Sequence, residues 1–265
     1  MIIIGEKING TLKNVSRAIE ERDVRYIRHL AEIQIKAGVD FLDLNAGGSV
    51  PDKEADVLAW LVEIVQNNFD TSICLDSASH ETLIKVIPYL KKSGMINSVN
   101  GTLKSLDAVL PLVKDYGCDL IALLMDEKGM PNSVSERFEI ASRIISRARD
   151  ANIPDGKIYL DALVQPVATS PHAGSMFFDT LRILEKEFPK VRTIIGVSNV
   201  SFGLPERQIV NRAFVTMAAA ANVDAFIIDP LDKKLLSIAK AARAVVGLDQ
   251  YGREYLRAYR QGLMR

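Results

Sequence analysis

Apolar residues along this chain fall into short runs separated by longer amphipathic stretches. The runs are residues 2–4, 39–44, 71–75, 95–96, 119–125, 158–160, 193–197 and 225–228, eight in all. Between them lie stretches with helical spacing of apolar positions, roughly 23–38, 53–68, 80–92, 103–116, 135–151, 174–187, 205–221 and 231–247. The runs are apolar on both faces, as parallel strands covered by helices are. Eight strand–helix alternations with short connections predict an α/β protein folded as a closed (β/α)8 barrel. A doubly wound open sheet is the alternative, but it needs fewer repeats and leaves polar edge strands.

Local signals mark several boundaries. Ser133 followed by Glu136 is a capping box that opens the fifth helix. Gly38 and Gly117 stand where a helix must end just before a strand, a place for a left-handed residue. Pro205 stands at a helix start with Glu206 in the first turn. The tail 252–263 predicts one further helix with arginines on one face, to cap the barrel bottom or touch a partner. No linker or composition shift divides the chain, so residues 1–265 are expected to form one barrel domain with a short C-terminal helix.

A parallel barrel carries its chemistry at the carboxyl ends of its strands. In order, those ends read Glu6-Lys7-Ile8-Asn9-Gly10, Asp43-Leu44-Asn45-Ala46-Gly47-Gly48, Asp76-Ser77, Asn97-Ser98 with Asn100, Asp126-Glu127-Lys128, Asp161, Gly196-Val197-Ser198-Asn199, and Asp229. Nearly every one offers an Asp or an Asn. Ionised carboxylates only accept hydrogen bonds, whereas Asn both donates and accepts. Such a rim suits a flat heterocycle with an N–H and amino edge beside a carbonyl. The competing reading is that these residues cap the helices that follow.

Composition narrows the classes. The chain has 265 residues, 48% hydrophobic and 25% charged, an ordinary globular balance. Lys plus Arg equals Asp plus Glu at 33 each, so no global basic field draws nucleic acid or anionic lipid. Cys74 and Cys118 sit in or beside apolar runs and read as reduced core thiols of a cytoplasmic protein. Four apolar residues followed by charge at the start are too few for a signal-peptide core. The charge-free stretch 162–178 holds two prolines and several hydroxyls, unlike a membrane span. His29, His80 and His172 are not paired at metal-ligand spacing, and no metal site is expected. No nucleophile elbow, P-loop or dinucleotide fingerprint is present. The Gly-rich segment Asn45-Ala46-Gly47-Gly48-Ser49 is too generic to imply phosphate binding.

At its strand ends the chain resembles the pterin-binding methyltransferases that act with corrinoid proteins. The segments that carry the resemblance are Ile4-Gly5-Glu6-Lys7-Ile8-Asn9-Gly10, Leu42-Asp43-Leu44-Asn45, Cys74-Leu75-Asp76-Ser77, Met95-Ile96-Asn97-Ser98, Tyr159-Leu160-Asp161, Gly196-Val197-Ser198-Asn199-Val200-Ser201 and Ile209-Val210-Asn211-Arg212. Each is short, but they occur in order over nearly the whole chain. The resemblance implies a homodimeric (β/α)8 barrel whose pterin site is shared with dihydropteroate synthase. Asp76, Asn97 and Asp161 match the family's pterin-ring ligands, Gly196 and Ser198 the floor near the ring, and Asn199 the asparagine that reaches N5. Asn9, Asp43, Asn45, Met125 and Arg207 are secondary candidates.

The activity implied is methyl transfer between N5 of tetrahydrofolate and the cobalt of a corrinoid. An amine leaves badly unless its nitrogen gains a proton or a strong hydrogen bond, and an Asn amide can direct one. Cobalamin-binding domains carry D-x-H-x-x-G, which none of the three histidines here fits. The corrinoid is therefore expected on a separate protein that docks transiently over the barrel mouth. A dihydropteroate synthase is the enzymatic alternative. It would need Ser-Arg-Lys after strand seven and Arg-x-His near strand eight, where this chain has Ser198-Asn199 and Asp229-Pro230. A folate-binding protein without turnover is the alternative of another class.

Overall fold

The computed structural model describes residues 1–47 and 53–264. Eight parallel strands close into one barrel, each hydrogen-bonded to the next and β8 to β1. They are β1 (Ile2–Asn9), β2 (Phe41–Asn45), β3 (Ser72–Asp76), β4 (Met95–Asn100), β5 (Asp119–Leu123), β6 (Ile158–Asp161), β7 (Arg192–Gly196) and β8 (Ala225–Ile228). The helices are α1 (Lys13–Glu20), α2 (Val24–Lys36), α3 (Glu54–Asn68), α4 (His80–Val86), α5 (Leu103–Tyr116), α6 (Val134–Asp150), α7 (Ala173–Glu187), α8 (Arg207–Ala220), α9 (Lys233–Val245) and α10 (Arg253–Arg260). The expected (β/α)8 architecture is the one observed.

Two apolar layers hold it. Outward strand residues such as Leu42, Leu75, Ile96 and Leu160 pack under the helices in one continuous core. Inside the barrel, Ile4, Cys74, Met95, Ile121, Tyr159, Ile194 and Ala225 are fully packed, with Ile2, Phe41, Leu123 and Ile227 around them. That interior layer draws on every strand and closes the barrel below the mouth. Burying each large aliphatic side chain contributes roughly 1.5–3 kcal/mol. Cys74 and Cys118 are buried and free. No described helix is long and apolar enough to cross a membrane.

The boundaries differ from the sequence pattern in instructive ways. β1 continues beyond Ile4 to Asn9, with a break of register between Gly5 and Ile8. β4 reaches Asn100 rather than stopping at Ile96, because Asn97, Val99 and Asn100 pair with Ile121, Ala122 and Leu123 of β5. Polar residues in that strand line the barrel mouth, so the loss of apolar character marks a site and not a strand end. β5 conversely ends at Leu123, which leaves Met125 in the loop. Helix α1 has no counterpart in the hydrophobic pattern. It is eight residues long and buries only Val15, Ala18 and Ile19, too few for a readable period.

The caps follow suit. Ser133 accepts from Glu136 N as expected, but the Glu136 carboxylate takes Asn132 N, one residue earlier than a capping box requires. Gly38 and Gly117 are both left-handed. α8 starts at Arg207, so Pro205 precedes the helix and Glu206 caps it with φ +48°. The tail helix is observed as α10, and beyond it Leu263 lies against Gly38 at the foot of β2.

Candidate active site

Side chains alternate along a strand, so the residue two places beyond each interior one returns to the barrel interior. Starting from Ile4, Phe41, Cys74, Met95, Ile121, Tyr159, Ile194 and Ala225, that step gives Glu6, Asp43, Asp76, Asn97, Leu123, Asp161, Gly196 and Ile227. The orientation of β1 is fixed by Gly5, whose absent Cβ would strike Gln34 and Val39 on the helix side, so Glu6 faces in. An apolar plug thus carries directly above it a ring of four carboxyl residues, one amide and three non-polar positions.

The acids on the β2–β4 side brace one another. Asn45 Nδ2 donates to Asp76 Oδ2 at 2.6 Å, and Asn45 Oδ1 accepts from Gly47 N at 2.6 Å. Asn97 Nδ2 lies 3.4 Å from Asp43 Oδ1. Asp43 is 2% exposed. Burial, and then the charge of Asp76, push its carboxyl well above the ordinary range, so it is the partner that holds a proton. Its hydroxyl donates to Asp76, and with the Asn45 amide it offsets part of the burial that raises Asp76. The Cys74 thiol, kept protonated by burial, donates to Asp43 from below.

Asp161 stands across the ring, 5% exposed. Its Oδ1 accepts from Leu163 N at 2.8 Å. Burial raises it to about 7 against the pull of the Leu163 and Gly196 amides and the Arg137 guanidinium. Glu6 is also pushed up to about 7, by burial and then by Asp229, with Lys7 and Arg207 opposing. No described group hydrogen-bonds the Glu6 carboxylate, so its burial is opposed only by the charges of Lys7 and Arg207. Two carboxyls of one mouth therefore titrate where a proton can be taken or given near neutrality.

The turn Val197–Ser201 after β7 sets the third side. Asn199 is exposed, and its Nδ2 would lie 3.4 Å from a Cβ on Gly196, which sets this amide beside the end of β7. Arg207 braces the turn, with Nη2 donating to Ser198 O at 2.7 Å and Nε to Ser201 Oγ at 3.0 Å. Val167 N donates to Val200 O at 3.1 Å and ties the loop after β6 to the same turn.

Asp43, Asp76, Asn97, Asp161, Gly196 and Asn45 converge at the mouth, with Ser198 and Asn199 on the adjoining turn. Other expectations separate. Asn9 caps its own turn, accepting from Thr11 N at 2.9 Å and Thr11 Oγ1 at 2.7 Å. Asp229 pairs with Lys7 at 2.9 Å and accepts from Leu231 N at 3.0 Å within its own turn, while the cap of α9 is Asp232, which accepts from Leu235 N at 3.1 Å. The Met125 carbonyl receives Gly101 N at 2.8 Å. His29 and His172 are exposed, and His80 Nε2 lies 3.0 Å from Ser105 Oγ. Gly48 and Ser49 of the Gly-rich segment lie outside the described residues.

Two residues were not singled out from sequence. Glu6 stands in the first strand-end segment but was passed over for Asn9, because with the strand ended at Ile4 its side of the barrel was not assigned. Arg137 reads as a solvated helix charge, yet it is 1% exposed. The signal was there: it stands on the same face of α6 as buried Ile140, Ala141 and Ile144.

The pterin-binding enzyme profile matches residues 5–229, which takes in the whole ring from Glu6 to Ile227. The chain belongs to this family. Among pterin-binding enzymes it is 35% identical to the methylcorrinoid:tetrahydrofolate methyltransferase of Eubacterium limosum, over 99% of this chain and 97% of that one. It is 29% identical to methionine synthase of Mycobacterium tuberculosis over 86% of this chain, but that stretch is only 20% of the larger protein. The barrel superposes on dihydropteroate synthase of Vibrio fischeri with a TM-score of 0.71 at 19% identity, covering 94% and 93% of the two chains. Dihydropteroate synthase of Coxiella burnetii, solved with pteroic acid, gives 0.70 at 15% identity, covering 94% of each. At such identities these two likenesses show the shared barrel.

Proposed function

We propose that this chain moves a methyl group between N5 of tetrahydrofolate and the cobalt of a corrinoid borne by another protein. The observation that carries the reading is the near full-length identity to a methylcorrinoid:tetrahydrofolate methyltransferase, in a chain whose mouth gathers the acid and amide groups a pterin needs. Asp76, Asn97 and Asp161 take the ring. An ionised Asp161 accepts the adjacent N–H and amino donors, and Asp76, whose burial is partly offset by the Asp43 hydroxyl and Asn45 amide, accepts at the neighbouring edge. Gly196 and Ser198 form the floor, with Asn45 and Asp43 as supports.

The methyl group departs from N5 only as that nitrogen gains a proton or strong hydrogen bond. Asn199, beside Gly196, directs it. Glu6, charged or neutral near pH 7, stands on the side of Arg207 and the Asn199 turn, where it holds a proton for relay through water. The corrinoid supplies the cobalt nucleophile in one direction and the methyl group in the other. Microscopic reversibility gives both directions the same site. The binding groups fit the pterin, and none of the three histidines stands in the D-x-H-x-x-G signature of a cobalamin-binding domain, which favours a corrinoid carried by a docking partner.

In this reading residues 1–265 act as one pterin-binding domain with α10 appended, working as a homodimer in the cytoplasm. Stopped-flow spectroscopy of cob(I)alamin with methyltetrahydrofolate tests the activity. Enzyme-dependent loss of the cob(I)alamin spectrum is expected. No acceleration in either direction, with folate bound normally, leaves a folate-binding protein and ends the proposal.

A further inference from the structure

Arg137 is among the largest fully buried side chains of the described residues. It rises from the first turn of α6, and its Nη1 donates to Ala162 O at 2.6 Å and to Leu163 O at 2.9 Å. Its Nε has no partner among the described residues. No described carboxylate forms an ion pair with it, so a bare guanidinium is buried against two peptide carbonyls. Burying a charge without a paired counter-ion is unfavourable, and burial accordingly depresses the Arg137 pKa. A Leu or Met there would extend the apolar face of α6 without that penalty. A role besides packing accounts for the charge.

The peptide it grips is the exit of β6. Leu163 is held at φ +57°, a conformation non-glycine residues rarely take. In that conformation Leu163 N points back to Asp161 Oδ1 at 2.8 Å. Arg137 thus fixes the carbonyl side of the same peptide segment whose amide side orients the Asp161 carboxylate. Among charged groups it is also the one whose field favours ionised Asp161.

We propose that Arg137 is a positioning residue, which clamps the Ala162 and Leu163 carbonyls so that the Asp161 carboxylate is aimed into the mouth and kept ionised for a ligand's paired N–H donors. The inference rests on the pterin reading of the site for the nature of the ligand, but not for its effect on Asp161.

Two measurements test it. The first needs no ligand. Carbon-13 NMR of the Asp161 carboxyl, identified by its loss in Asp161→Asn, gives its titration midpoint in the wild type and in Arg137→Met and Arg137→Lys. The midpoint is expected to move upward in Arg137→Met and to lie between the two in Arg137→Lys, which keeps the charge but not the fork. The second is calorimetry with methyltetrahydrofolate. Arg137→Met is expected to weaken binding about ten- to a hundredfold, with the single-turnover rate at saturation within about threefold. In an Asp161→Asn background, Arg137→Lys should add little further loss.

A folded Arg137→Met with wild-type midpoint and affinity, altered only in melting temperature, overturns the proposal. Should Arg137→Met not fold, Arg137→Lys decides on the same midpoint and on the double-variant comparison. A shifted midpoint in a protein that binds no folate supports the positioning role and rejects the pterin reading.

Discussion

Asn45 and Asp76 meet across adjoining strands with Nδ2 and Oδ2 2.6 Å apart, and Gly47 N locks the other end of the same amide at 2.6 Å. The amide's orientation is therefore fixed, and it acts as a donor to Asp76 and not to the open mouth. Asn45→Asp replaces that donor by a carboxylate facing a carboxylate. Folate affinity is expected to fall by roughly 1–3 kcal/mol, with partial recovery at lower pH as one of the two is protonated. Calorimetry at two pH values checks it, and unchanged affinity at both removes Asn45 from the site.

Asp43 and Asp76 share one proton, which buried Asp43 retains. Asp43→Asn keeps a neutral donor of the same shape, so folate binding should stay within about threefold, whereas Asp43→Leu strips the donor and should cost roughly 1–3 kcal/mol. Equal losses in the two variants would show that Asp43 works as a charge.

Asn199→Ala is expected to cripple methyl transfer while folate affinity stays within about tenfold, because its amide is used mainly as the methyl departs. Single-turnover kinetics beside calorimetry separate the two. Collapse of binding with an unchanged rate per bound folate would assign Asn199 to recognition instead.

Two pH effects of opposite sign should coexist. Asp161, raised to about 7, must be ionised to accept the donors, so folate affinity falls as pH drops through neutrality. Glu6, also raised to about 7, must be protonated to give its proton, so transfer from saturating methyltetrahydrofolate speeds up over the same interval. Glu6→Gln should flatten the second dependence and leave the first. A rate that is flat with pH in the wild type would argue against proton delivery to N5.

The same groups tax stability. Both have folded-state values near 7, above their ordinary 3.8 and 4.5. The folded state therefore binds their protons more tightly than the unfolded chain does. Their favourable contribution is complete below about pH 4 and is lost as pH rises through 7. Thermal unfolding should show Glu6→Gln gaining on the wild type between pH 5 and 8, and no such gain would mean that Glu6 is ordinarily solvated.

The β-strand runs, the barrel and most of the mouth were legible in the sequence. Strand residues buried on both faces leave continuous apolar runs, and chemistry in a parallel barrel stands where those runs turn polar. Asp76, Asn97, Asp161 and Gly196 lie within or at the ends of strands, where register is strict, so a linear reading placed them. Asn9 and Asp229 looked the same on paper because a turn-forming side chain and a ligand are drawn from the same residue types. Only the folded backbone shows Asn9 serving Thr11 and Asp229 held by Lys7.

What the tertiary structure alone decided is which charges lose their water and beside whom. Glu6 depends on its burial beside Asp229 at the end of the neighbouring strand, and Arg137 on the loop after β6 folding back over α6. Hydrophobic periodicity records which faces are buried, since that is a sum over many residues. The protonation and aim of a single carboxyl depend on a few atoms brought together from distant parts of the chain, and no local pattern carries that information.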